Sequence, residues 1–203
     1  ALYKAMEEGT AVGIIVMMEE DGTKSRAHSI SPELLKAQAK EIGVPIYTGS
    51  ASWGTYEKVL VENLEKAKEL GAEVLVTGDI DMPQHKCWYE KVASSVNLGL
   101  AMPLWNRDHR DVVEEFVNLG FITKIVTVNL SKGMKKEDLG RTLTLEYMKE
   151  LEDRGIDICG EAGEFHTSVI GGPLFKNDLK VKHGQITSEG DYMYLELLLD
   201  SKK

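Results

Sequence analysis

The sequence predicts an α/β protein: a parallel β-sheet sandwiched by helices, followed by a smaller α+β domain. Strand-like and helix-like segments alternate through the first half of the chain, the pattern of a parallel sheet covered by its crossover helices. The strands there are nearly continuous apolar runs, suited to burial on both faces. The last forty residues read instead as short strands punctuated by glycine, which favours antiparallel pairing. These shifts place a domain change near residue 108, giving domains 1–108 and 109–203.

The opening nine residues read as a helix already under way, without a start methionine or an N-cap and with Gly9 as its stop. We read this as a sequence whose upstream part has been removed or is unseen. A strand follows at 12–18. The next helix starts at Ser31, an N-cap followed by Pro32, keeps Leu34, Leu35, Gln38, Ala39 and Ile42 in helical spacing, and ends at Gly43. A short strand at 44–47 leads to an amphipathic helix over 55–70, closed by Gly71. A buried strand is expected at 73–77, a helix across Trp88 and 92–98, and a strand at 100–104. Beyond a helix ending at Gly120, a strand covers 121–128, a Lys/Glu-rich helical stretch follows, and a helix runs over 144–154. Strands at 166–170, 174–183 and 192–199 complete the chain.

With 203 residues, 42% of them hydrophobic, the chain can bury one large or two small cores. Its 24 basic and 33 acidic side chains leave a net charge of -9, which repels a polyanionic backbone and argues against nucleic acid as a general partner. An anionic small molecule remains open to it, because backbone amides and a bound cation can outweigh the global field locally. Cys87 and Cys159 lack metal or redox spacing, which fits a reducing cytoplasmic location. No apolar run approaches the ~20 residues a membrane helix needs, so no membrane association is expected.

Open parallel sheets bind ligands outside the carboxyl ends of their strands, here Met17-Met18, Gly78-Asp79 and residues 105–108. Gly78 allows a sharp turn beside a ligand, and Asp79 offers a carboxylate for magnesium or a ribose; a solvated turn aspartate is the alternative. A second cluster, Cys159-Gly160-Glu161-Ala162-Gly163-Glu164-Phe165-His166-Thr167, sets two carboxylates three apart in a Gly-bounded loop before a strand carrying an imidazole. Such a loop can hold a general base and a metal ligand together. An acidic loop capped by a surface histidine is the bland alternative. His109 and His183 read as surface residues, Trp88 and Trp105 as packing aromatics, and residues 132–136 as a solvated basic run.

Gly78-Asp79-Ile80 with Trp88, Pro103-Leu104-Trp105 to Asp108, Leu139-Gly140-Arg141, and 159–175 resemble, in order and spacing, motifs of the diphthine–ammonia ligase family. The most specific piece is Gly160 to Thr167 followed by Gly172-Pro173-Leu174-Phe175, similar to that family's Gly-Glu-x-Gly-Glu-aromatic-x-Thr and Pro-Leu-Phe signature. His28, Gln38-Ala39 and Gly43-Val44-Pro45 also match by position. The resemblance implies an adenine nucleotide alpha hydrolase-like (HUP) domain with a five-stranded parallel sheet, then a family-specific domain. It implies an ATP pyrophosphatase that adenylates a carboxylate and amidates it with ammonia, releasing AMP and pyrophosphate, with ATP and Mg²⁺ required.

On that resemblance Asp79, Glu161, Glu164 and His166 are the catalytic candidates, with Asp79 also the metal ligand. Met17, His28, Gly78 and Asp79 are the ATP-binding candidates. Gly78, His85, Trp105, Arg107, Asp108, Arg141 and Thr167 are the substrate-binding candidates, Arg141 having a helix-end pairing as its alternative. The family's Ser-Gly-Gly-x-Asp-Ser phosphate loop occurs nowhere in these residues; in the family it precedes a helix resembling residues 1–9, so the first strand and loop are expected upstream. The partners implied are ATP, ammonia and a carboxylate-bearing acceptor such as diphthine on elongation factor 2; a homodimer is left open. Members tied to diphthamide usually carry Gly-Ala-Ile, Tyr-Gln-Arg and a Glu where this chain has Gly78-Asp79-Ile80, Gln84-His85-Lys86 and His166, differences that bear on which carboxylate is activated. A nucleotide sensor without turnover and a flavin or electron-transfer module are the competing readings on such a sheet.

Overall fold

The structure is a computed structural model that describes residues 1–26 and 28–200. It is a mixed α/β protein that divides into two compact units, one made of Ala1–Thr23 and Val44–Arg107, the other of Lys24–Gly43 and Asp108–Lys203. The helix that begins after Ser31 thus belongs with the C-terminal half of the chain, although it precedes most of the first unit in sequence.

The first unit carries helix α1 (Leu2–Glu8), strand β1 (Ile14–Met18), strand β2 (Ile46–Ser50), helix α3 (Tyr56–Glu69), strand β3 (Val74–Val76), helix α4 (Pro83–Ser95) and strand β4 (Gly99–Ala101); helix α2 (Pro32–Ile42) lies in the second unit. β1 pairs with β2 in parallel, Ile14 opposite Ile46, and β3 pairs with β4 in parallel, Val74 opposite Gly99. Among the described residues these remain two separate two-stranded sheets rather than one five-stranded sheet. Burial follows from that separation. β3 was expected to be buried, yet Val74 is 47% exposed, and in β1 only Met17 and Met18 are buried. Residues from both strands line one cavity of about 810 Å³. Met17, Leu60, Leu64, Val92, Ala93 and Leu98 form the unit's core, and Met17, Leu60, Leu64 and Leu98 also line that cavity.

Several boundaries differ from expectation for local reasons. β2 starts after Pro45 instead of at Val44, because proline lacks the amide a ladder needs. β4 stops at Ala101, and the chain then turns, with the Trp105 N–H donating to Met102 O at 3.0 Å. α4 ends at Ser95, and Asn97 adopts φ 53° on the way to β4.

The second unit holds α2, helix α5 (His109–Asn118), strand β5 (Ile122–Asn129), helix α6 (Leu145–Asp153) and strands β6 (Phe165–Gly171), β7 (Val181–Glu189) and β8 (Tyr192–Leu199). Its antiparallel sheet has the order β6-β5-β8-β7. The Ser31 side chain caps α2 by accepting the Leu34 N–H, and Gly43 closes it at φ 78°. β5 is buried along nearly its whole length, surrounded by Leu34, Val113, Leu143, Met148, Leu151 and Phe165. The Lys/Glu-rich stretch expected to be helical forms only two three-residue 3-10 turns, 130–132 and 136–138, separated by Gly133 at φ 83°. The strand expected at 174–183 lies instead at Val181–Glu189. No helix among the described residues is long and apolar enough to cross a membrane.

Candidate functional site

In the first unit the loops leaving β3 and β4 come together at the strands' carboxyl ends. The Asn106 N–H donates to Ile80 O at 2.7 Å, and Ile80 is 3% exposed, so the two loops share a buried tie. Asn106 sits at φ 57°, a left-handed conformation that asparagine tolerates better than most residues. On this frame Asp79 Oδ1 meets His85 Nδ1 of the first turn of α4 at 2.7 Å. The Lys86 ammonium lies 5.0 Å above the Trp105 ring. Tyr89 borders the same place: burial first, and the Asp79 carboxylate second, push its phenol well above the usual range, so it stays a neutral hydrogen-bond donor.

Of the ATP-binding candidates Gly78 and Asp79, and of the substrate-binding candidates His85, Trp105 and Arg107, belong to these two loops or to the α4 turn beside them. Met17 is a packed core residue, 8% exposed, that also borders the cavity. Sequence reading missed Lys86 and Tyr89. His85 at 51% side-chain exposure and Asp79 form an ion pair only when the imidazole is protonated.

The second unit gathers a different set. Rings of His28 and His166 lie 5.0 Å apart at 51°. His166, on β6, is opposite Thr127 of β5, which is opposite Tyr194 of β8, so these three share one face of the sheet. Burial, and then the His28 charge, lower the His166 pKa to about 4, keeping its imidazole neutral near pH 7. Ser29, beside His28, holds φ 55°, a costly conformation for serine. Glu164 is 8% exposed, and its Oε2, like Thr127 Oγ1, is buried with no hydrogen-bond partner among the described residues. A buried oxygen left unpaired costs about 1–3 kcal/mol. His28 belongs to the second unit, with its ring beside that of His166.

Glycine is required where this loop turns: Gly160 has φ 70°, and a Cβ there would lie 2.8 Å from Phe165 O. Glu161 is half-buried, and its N–H donates to Asp157 Oδ2 at 3.1 Å. Thr167 lies on β6 opposite Ile125. Two candidates have structural partners. Asp108 caps α5, its Oδ1 accepting the Asp111 N–H at 3.2 Å. Arg141 is held in a two-pronged bridge by Glu150, 2.8 Å on each arm, with its guanidinium 3.7 Å over the Tyr147 ring.

A two-unit α/β protein with polar loops at the carboxyl ends of parallel strands, and with a histidine pair and a buried carboxyl in its antiparallel unit, is the class these features define. The diphthamide synthase N-terminal domain family matches residues 1–100, and the diphthamide synthase C-terminal domain family matches residues 108–200. The chain belongs to the diphthine–ammonia ligase family. It is 29% identical over 170 residues to the cattle (Bos taurus) diphthine–ammonia ligase, covering 78% of this chain and 63% of that protein. The human (Homo sapiens) ligase is 29% identical over 131 residues, covering 63% and 49%, and the mouse (Mus musculus) ligase 33% over 95 residues, covering 45% and 36%. The chain thus spans from about a third to just under two thirds of the length of these relatives.

Proposed function

We propose that this chain carries out the ATP-dependent ligase chemistry of diphthamide biosynthesis. A carboxylate, that of diphthine or a related acceptor, is adenylated, and ammonia displaces AMP to form the amide, pyrophosphate having left in the first step. The observation that carries this reading is the tie between the 78–80 and 104–107 loops through Asn106 N–H and Ile80 O, which gathers Asp79, His85 and Trp105 where parallel strands bind nucleotides. The cytoplasm is the compartment this reading implies.

The proposal includes an adenine nucleotide alpha hydrolase-like sheet. Its support is the 810 Å³ cavity bordered by Ile14 and Ile15 of β1 and by Val74 to Val76 of β3, strands with no partner on those sides among the described residues. A further parallel strand fits between them. It would end at the same edge as β3, beside Gly78, where a Cβ would lie 3.6 Å from the Ala1 side chain. A phosphate loop following that strand would meet the Asp79 loop.

Magnesium takes oxygen ligands, and Asp79 fits it because His85 engages only Oδ1; bound there, the ion would offset the repulsion between carboxylate and phosphate. Gly78 lets the nucleotide approach the backbone, and Lys86 and Arg107 supply positive charge. Within the second unit, taken by itself, Glu164 is the candidate to take the extra proton that ammonium must lose before it can attack. Release of AMP and pyrophosphate from ATP, dependent on ammonium and an unamidated acceptor, tests the proposal in a form extended upstream. Turnover unchanged by Asp79→Asn and by Glu164→Gln would refute the assignment.

A further inference from the structure

We propose that His109, Asp157 and Cys159 form a site for a divalent transition metal of the zinc class. His109 is the first residue of α5; Asp157 and Cys159 lie in the loop after α6. One ligand atom from each lies within 4.8 Å of the other two, and all three side chains are partly exposed, so an ion can reach them. The Asp157 carboxylate is already aimed. Its Oδ1 accepts the Cys159 N–H and its Oδ2 the Glu161 N–H, 3.1 Å each, and Asp157 O accepts the Gly160 N–H at 3.0 Å. His109 Nδ1 stands 2.7 Å from Asp157 Oδ1, and Cys159 Sγ donates to His109 O at 3.4 Å.

The donor set decides the ion. Imidazole nitrogen, carboxylate oxygen and thiolate sulfur suit zinc, whereas magnesium and calcium take oxygen alone. Zinc bonds of about 2.0–2.3 Å set ligand atoms roughly 3.3–3.8 Å apart. The Nδ1–Oδ1 contact therefore widens by about half an ångström and the sulfur moves inward, a change that one loop and a helix terminus absorb. The ion takes the place of the proton between Nδ1 and Oδ1, which moves to Nε2, and the Cys159 thiol proton leaves to solvent. One proton is released per ion when the imidazole starts neutral. Three protein ligands leave a fourth position for water, two residues from Glu161. This site is separate from the magnesium position assigned to Asp79 and stands without the ligase reading.

Cobalt(II), a spectroscopic substitute for zinc, tests it on the intact chain. One equivalent is expected to give visible d–d bands of a four-coordinate ion and a near-ultraviolet thiolate-to-cobalt band. Cys159→Ser abolishes the thiolate band and weakens binding at least about tenfold, while Cys87→Ser, altering the exposed second thiol, changes neither. His109→Gln, which leaves both thiols in place, weakens binding similarly and serves if the cysteine variant fails to fold. No thiolate band in the unaltered chain, or a band that survives Cys159→Ser, overturns the site.

Discussion

Asp79 Oδ1 and His85 Nδ1 meet at 2.7 Å, joining the loop after β3 to the first turn of α4. His85 is half exposed, 51% by side chain, and exposed pairs contribute less than about 1 kcal/mol. His85→Gln is therefore expected to shift the unfolding midpoint little. Asp79→Asn removes the carboxylate proposed for magnesium and is expected to weaken Mg-ATP binding at least about tenfold. Calorimetry on the two variants checks the pair; equal losses from both would mean the imidazole binds nucleotide as well.

His166 makes stability depend on pH. Its folded pKa, about 4, is below the unfolded value near 6.5, so the unfolded chain binds more protons between the two. Its contribution is complete above pH 6.5 and lost as pH falls toward 4, about 3 kcal/mol in all. Urea unfolding at pH 7.5, 5.5 and 4.5 is expected to show a steeper fall for the native chain than for His166→Gln. Parallel slopes would place the acid sensitivity elsewhere.

Glu164 is expected to oppose stability. Replacing it with methionine, similar in length and without the unpaired Oε2, should raise the unfolding free energy by about 1 kcal/mol while abolishing amide formation. A lower denaturation midpoint would show that the carboxyl is well paired in solution.

Asp138 and Arg154 anchor the second unit. Asp138 is 2% exposed, and Arg154 reaches its two oxygens at 2.7 and 3.0 Å. Burial alone would raise the Asp138 pKa, but the Arg154 hydrogen bonds and the Lys135 N–H outweigh it and hold the carboxyl below its usual value. Arg154→Ala leaves that charge buried without its partner and is expected to cost about 3–5 kcal/mol, read by chemical denaturation. The pair's contribution is present above about pH 4 and lost as pH falls through the lowered folded value.

Local signals in the sequence were the dependable ones. Ser31, Pro32 and Gly43 fix both ends of α2 through bonds made within the helix, so eleven residues suffice to read it. β7 escaped because Lys182, His183, Gln185, Thr187 and Glu189 make it a polar, exposed strand, whereas Leu174 and Phe175, apolar and strand-like, sit in the turn after Pro173. The candidate loops were legible as residue types, Asp79 and Glu164 among them. Their partners were not: the His109–Asp157 and Gln38–Ser168 bonds span 48 and 130 residues, separations at which no periodicity survives. Arg141 was legible as a ligand candidate or as a helix-end pair; the Glu150 bridge, nine residues on, agrees with the second and does not test the first.

The most direct test of the central claim is calorimetry of Mg-ATP binding to this chain and to a form extended upstream by the polypeptide expected to supply the strand and phosphate loop. Tight binding by the extended form, at least about tenfold weaker in its Asp79→Asn variant, is the predicted result. Failure of the extended form to bind ATP would contradict the account.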